Sequence, residues 1–278
     1  MIGIFDSGFG GLTTLRELLR LAPDFEYAFL GDNARVPYGN RGVETVTKFT
    51  ESGVNFLFNR GAKIVLIACN TASSDALRHL QQKYPDRKIL GALVPAVETA
   101  LEKSRFGRIG VVGTRGTILA KNYEKEIEKR KSIFLNRKKD RRAEKSPRVF
   151  SAACPLLVPL IEENWARKPE TRMILKKYLL PLKHAHIDTL ILGCTHYPLI
   201  ENEFSRKMGK SVEIINSGKA QAEKFLEYLK NHPEIAKNLS RQKKMNFWTT
   251  DDPERFRKMG EKFLGKSIGK SRISKIEI

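Results

Sequence analysis

Short apolar runs and amphipathic stretches alternate along this chain from its first residues. Ile2 to Phe5, Phe25 to Leu30, Ile64 to Ala68 and Ile89 to Gly91 are runs of the kind that form buried parallel strands. Between them, apolar residues recur as on one face of a helix over about 13–21, 44–59 and 74–83, and again from Pro95 to about Lys103. A second set starts near residue 105. Its strands are Arg108 to Val112, Val149 to Ala153 and Ile187 to Leu192, and its helices cover about 118–131, 156–163, 170–184 and 199–207. Val212 to Ile215 and Met245 to Thr249 are later strands, separated by a helix over about 219–231. Such alternation predicts βαβ units, hence an α/β fold with mostly parallel sheets.

Two cysteines occupy nearly mirrored places in this pattern. Cys69 ends Ile64-Val-Leu-Ile-Ala and precedes Asn70-Thr71-Ala72-Ser73. Cys194 ends Thr189-Leu-Ile-Leu-Gly and precedes Thr195-His196-Tyr197-Pro198. They stand 125 positions apart, a weak internal duplication that reads as two related lobes. Each thiol is expected at the carboxyl end of a strand, where open α/β sheets bind ligands. A thiol beside a helix N-terminus is expected to ionise more easily than its free value of about 8.5 allows. His196 can serve Cys194 as a local base. Asp6 can serve Cys69 if their strands are neighbours. The third cysteine, Cys154, precedes Pro155 at a strand end and reads as a small buried apolar residue.

Composition narrows the field. The 278 residues suffice for one large domain or two ordinary ones. No apolar run approaches the roughly 18 residues that span a membrane, and the N-terminus lacks the basic and apolar regions of a signal peptide. A cytoplasmic protein without membrane attachment is expected. Three cysteines with no C-x-x-C pair argue against a disulfide framework and against a metal site. The net charge of +20 is uneven: Lys129 to Arg148 carries +8 and Arg255 to Ile278 carries +6. The first stretch reads as a solvated loop. Nucleic acid is expected to bind only weakly and non-specifically, because aromatic residues are sparse in both stretches.

Two loops add chemistry. Asp6-Ser7-Gly8-Phe9-Gly10-Gly11 follows the first strand, and its glycines would let backbone approach a ligand, with the next helix start able to hold an anion. Taken alone it is equally a tight turn capped by Asp6 or Ser7. Pro37-Tyr38-Gly39 makes a rigid turn, in isolation an ordinary surface one. Two reactions suit the cysteines. A Cys–His pair could act as a nucleophile, as in thiol hydrolases, which leaves the second thiol loop unexplained. Alternatively, one thiolate removes a proton from carbon while the other thiol donates one to the opposite face. That uses both loops and needs no cofactor, in keeping with the absence of Walker and dinucleotide loops.

At these residues the chain resembles the cofactor-independent aspartate/glutamate racemase family. The motifs are Asp6-Ser7-Gly8-x-Gly10-Gly11, Pro37-Tyr38-Gly39, Ala68-Cys69-Asn70-Thr71-Ala72, Gly113-Thr114-x-x-Thr117, Cys154-Pro155 through Glu162, and Gly193-Cys194-Thr195-His196-Tyr197-Pro198. The first and last favour the glutamate racemases over the aspartate and hydantoin racemases. The resemblance implies two pseudo-symmetric lobes, 1–97 plus 207–278 and 98–206, with D- or L-glutamate in the cleft between them. It implies Cys69 and Cys194 as the two acid/bases, assisted by Asp6, Glu162 and His196. Asp6, Ser7, Pro37, Tyr38, Gly39, Asn70, Thr71, Thr117, Thr195 and His196 would hold the substrate. It further implies a homodimer, no cofactor, and a product that feeds peptidoglycan synthesis. Racemisation of another amino acid, such as aspartate, is the neighbouring alternative.

Overall fold

The structure is a computed structural model that describes residues 1–137, 144–269 and 272–278. It contains two sheets, and every strand pairing in them is parallel. The first half begins with β1 (Ile2–Asp6), α1 (Leu12–Leu21), β2 (Tyr27–Gly31), α2 (Val43–Asn59) and β3 (Ile64–Ile67). It continues with α3 (Asn70–Asp75), α4 (Leu77–Lys83) and β4 (Lys88–Gly91), and α5 (Leu93–Lys103), packed on the second sheet, opens the second half. Then come β5 (Arg108–Gly113), α6 (Arg115–Leu119), α7 (Asn122–Lys129), α8 (Ser132–Leu135) and β6 (Arg148–Ala153). α9 (Leu157–Glu162), α10 (Pro169–His184), β7 (Thr189–Gly193), α11 (Glu201–Met208) and β8 (Glu213–Asn216) complete that set. The chain ends with α12 (Ser217–Asn231), α13 (Pro233–Lys237), β9 (Met245–Thr249), α14 (Pro253–Leu264) and β10 (Ile273–Lys275).

The strand orders show why the cysteine loops look alike. The first sheet runs β10-β9-β2-β1-β3-β4 and the second β6-β5-β7-β8. Without β9 and β10, both follow one path: the second strand lies on one side of the first, and the third and fourth lie on the other. Connections therefore diverge between β1 and β3 in one sheet and between β5 and β7 in the other. Such switch points open a crevice at the strands' carboxyl ends. Cys69 follows β3 and Cys194 follows β7, so both thiols stand at switch points.

β1, β2, β3 and β7 are buried along their whole length, as two-sided cover by helices requires. α12 joins the halves by packing on α1 of the first and α5 of the second. Phe256 of α14 is fully buried among Phe9, Phe29 and Phe247, at ring distances of 5.9, 6.0 and 6.3 Å.

Several elements differ from expectation. The helix expected over 118–131 is two helices, α6 and α7, parted where Lys121 takes a left-handed conformation (φ 53°). α3 starts at Asn70, not 74, so Cys69 is itself the residue before the helix. β8 pairs with β7, and the chain returns to the first sheet only after Asn216, beyond the expected boundary at 207. The basic stretch 129–148 does not begin as a solvated loop. Phe134 of α8 is buried, and Arg130 is ion-paired to Glu98 and Glu126. Its residues 138–143, like 270 and 271, lie outside the described residues. β10 was not anticipated; a three-residue edge strand carries almost no periodic signal.

Phe256→Ala should lower stability by about 3–5 kcal/mol, the usual cost of emptying a fully buried aromatic site. Urea denaturation of the variant against the parent checks this.

Candidate active site

The carboxyl ends of both sheets face one cavity of about 280 Å³. From the first half come Ser7, Pro37, Tyr38, Gly39, Cys69, Asn70 and Thr71. From the second come Thr114, Arg115, Cys154, Glu162, Cys194, Thr195 and His196. Of the residues expected to form a site, only Asp6 and Thr117 stand behind this lining. Both are fully buried or nearly so.

Parallel pairing of β1 with β3 brings Asp6 beside the Cys69 loop. Asp6 accepts a hydrogen bond from the Gly8 amide at 3.0 Å. Burial raises the pKa of its carboxyl, countered in part by His196, the Gly8 and Gly11 amides and Thr195. The Cys69 Sγ lies 3.4 Å from the Ser7 hydroxyl. Burial first, then the Asp6 charge, push the Cys69 thiol up to about 12. This corrects the expectation of easy ionisation: in a closed cavity, loss of water outweighs the short helix that follows the thiol.

The second thiol has different company. Cys194 is followed by a 3₁₀ turn, Tyr197–Ile200, rather than by an α-helix start. Its Sγ lies 4.0 Å from His196 Nδ1, while His196 Nε2 lies 2.8 Å from Glu162 Oε1. Burial alone would lower the imidazole's pKa; Cys194 and Glu162 reverse this and raise it to about 10. Phe263 closes the far side of the ring, edge-on at 5.0 Å. Cys154 is also in the wall, but it is fully buried, its Sγ is turned to the Ala152 carbonyl at 3.7 Å, and burial holds its thiol at about 12.

Of the glycines of the first loop, Gly10 serves closeness between the halves. A Cβ on Gly10 would stand 2.1 Å from Thr195 Oγ1 and 2.6 Å from His196 Nδ1. The Thr13 hydroxyl fastens the same seam, 2.8 Å from the Gly10 carbonyl and 3.0 Å from that of Thr195. Gly39 does likewise at the mouth, where a Cβ would lie 2.4 Å from Thr114 Cβ.

Three threonine hydroxyls form a closed triangle across the halves: Thr71 to Thr114 at 3.0 Å, Thr71 to Thr117 at 3.1 Å, and Thr114 to Thr117 at 3.0 Å. Thr117 thus touches the two that line the cavity. The Tyr38 hydroxyl donates to Asp32, which also takes Arg35 Nε at 2.6 Å and the Thr250 hydroxyl at 2.9 Å. Tyr38 therefore offers its ring and backbone to the cavity. Asp32 and Thr114 were assigned no role from sequence, although Thr114 lies in the Gly113-Thr114-x-x-Thr117 motif. Asp32 follows β2 as Cys154 follows β6, a correspondence visible only once strand orders are compared. Among the described residues no cluster of His, Cys, Asp or Glu has the makeup of a metal site.

A cavity at two switch points, with a thiol on each side, defines a class. The sequence matches the family model for Asp/Glu/hydantoin racemases over residues 11–225. The chain belongs to that family and is an amino-acid racemase. Its relatives are narrower. It is 38% identical to the glutamate racemase of Geobacter metallireducens, over 96% of this chain and 94% of that one. The glutamate racemase isoform RacE1 from Bacillus anthracis superposes with a TM-score of 0.88 at 34% identity, over 100% and 97% of the two chains. The glutamate racemase from Francisella tularensis, solved with D-glutamate, gives a TM-score of 0.86 at 28% identity, over 99% and 97%.

Gly10→Ala should displace Thr195 and His196, costing about 1–3 kcal/mol in stability by overpacking; calorimetric unfolding with an activity assay on the same sample checks both effects. The His196 shift sets a second expectation. Its folded-state pKa lies above the free value, so its stabilisation is complete below about pH 6.5 and lost as pH rises through about 10. The stability gap between the parent and Glu162→Gln should therefore be widest near pH 6 and close toward pH 10 and above. Urea midpoints across that range would show it.

Proposed function

We propose that the protein interconverts L- and D-glutamate by proton transfer between two thiols on opposite faces of Cα. The observation that carries this reading is the pair Cys69 and Cys194, on matched strand ends of two duplicated sheets, lining one cavity. In one direction a thiolate takes the Cα proton: the C–H bond breaks and an S–H bond forms. The opposite thiol then gives its proton to the other face, so a second S–H bond breaks and a C–H bond forms with inverted geometry. No electrons leave the system.

The neighbours suit these roles. Asp6 lies behind Cys69, and the His196–Glu162 pair behind Cys194. Either supports the removal and return of a thiol proton as the direction of reaction changes. The Cα proton is weakly acidic, so charge developing toward the carboxylate needs donors fixed in advance. Ser7, Asn70, Thr71, Thr114 and Thr195 supply such donors around the cavity. Both thiols are only 6% exposed, which keeps water from the reacting carbon.

Glutamate rather than aspartate is supported by the glutamate racemases at 38% identity over nearly the whole chain. The family resemblance further supports a cytoplasmic homodimer, weak and non-specific contact with nucleic acid at most, and D-glutamate supplied for peptidoglycan synthesis. Each lobe carries one thiol on its own side of the cavity.

Cys69→Ala and Cys194→Ala should each cut racemisation by about a hundredfold to ten-thousandfold, read by circular dichroism with L-glutamate and L-aspartate in parallel. Deuterium from solvent should appear at Cα of the product. Full activity in either variant would sink the two-thiol mechanism, and preference for aspartate would overturn the substrate.

A further inference from the structure

Tyr123 belongs to none of the sequence motifs, yet it lies directly beneath both thiol loops. It projects from α7 of the second half and is 1% exposed. Its hydroxyl donates to Asn70 Oδ1 at 2.7 Å, and Asn70 is the residue after Cys69. Its ring also supports the other loop: a Cβ on Gly193, the residue before Cys194, would stand 3.3 Å from Tyr123 Cε2 and 3.4 Å from its hydroxyl oxygen.

This contact decides which way the Asn70 amide faces. An amide side chain has one acceptor oxygen and two N–H donors, and rotation by half a turn exchanges them. Burial and the neighbouring Cys194 push the Tyr123 ionisation far upward, so the hydroxyl keeps its proton, and it gives that proton to Asn70 Oδ1 in a hydrogen bond. Asn70 Oδ1 is thereby held toward Tyr123. Asn70 Nδ2 then donates one hydrogen to the Ser217 hydroxyl at 3.3 Å. Its second N–H remains for the cavity, which Asn70 lines while being almost wholly buried. A carboxylate accepts from such a donor and is repelled by the carbonyl that a flipped amide would present.

The geometry points to Tyr123 as a positioning residue that locks Asn70 as a hydrogen-bond donor to the substrate's α-carboxylate. This rests on the reading of the cavity as the glutamate site. The contact joins α7 of one half to α3 of the other, so the donor is in place only when the two thiol loops are together.

The test is a double-mutant cycle with L-glutamate as probe. Tyr123→Phe removes one oxygen and should lower kcat/KM by about tenfold to a hundredfold, the usual range for losing a hydrogen bond to a charged group. Most of the loss should appear as a raised KM, because the carboxylate is held before and during reaction. A role confined to stability would instead leave KM alone and reduce only the active fraction. If Tyr123 acts through Asn70, Tyr123→Phe in an Asn70→Ala background should cost nothing further. Asn70→Asp, which can still accept from Tyr123 but offers no N–H, gives an independent variant: it should lose activity with its melting temperature unchanged. Three results would overturn the proposal. They are kcat/KM within twofold in Tyr123→Phe, multiplicative effects in the double variant, or near-parental activity in Asn70→Asp. An unmodified chain that fails to racemise glutamate would overturn the cavity's assignment first, and this role with it.

Discussion

The site depends on one steric fact: bare glycine backbone of the first half lies directly against threonine and histidine side chains of the second. Gly10 lies against Thr195 and His196, and Gly39 against Thr114, at separations that a single methyl group would abolish. Protein interiors are packed too densely for such a seam to open slightly and remain ordered. The Thr13 hydroxyl, the threonine triangle and the Tyr123–Asn70 bond all span this seam, and all hold only while it is closed. Two strand-end thiols become one site because the loops around them are small.

Duplication supplies two thiols, and their surroundings make them different. Cys69 sits over a carboxylate, and both burial and that charge keep its proton on. Cys194 sits beside an imidazole that a second carboxylate keeps basic, despite a burial that works the other way. A reaction that runs in both directions needs one thiol without a proton and one with it at the start of each turnover. Unequal neighbours allow that division without any change in the fold. The third thiol, Cys154, lies in the same wall but has neither partner, and burial, with the nearby Cys194, keeps its proton on.

Much of this was legible in the residues. Five or six apolar residues ending in Cys69 or Cys194 could be placed as buried strands because two-sided cover makes a run continuous rather than alternating. Cys69, Cys194, His196 and Asn70 followed, since loops after such strands are where ligands bind. Other parts were silent. Asp32 and Tyr123 lie in segments whose chemistry appears only when residues far apart in the chain meet, and the Thr114 motif gave no sign of its contact with Thr71. The glycines of the first loop were visible but open to opposite uses, holding an anion or admitting a neighbouring loop, and sequence spacing is the same for both. The basic run 129–148 read as solvent-facing from its charge, yet Phe134 and Arg130 anchor its beginning.

The local order of strands and helices, and the chemical types available at their ends, are thus properties of the sequence, because they depend on short-range periodicity. The pairing of Asp6 with Cys69, the pairing of His196 with Glu162, and the raised pKa values of Asp6, Cys69 and His196 belong to the tertiary structure. They depend on which strand ends become neighbours and on how completely water is removed around them. A thiol at a helix start carries a tendency to ionise; whether it does so is settled by the burial that only the assembled halves impose.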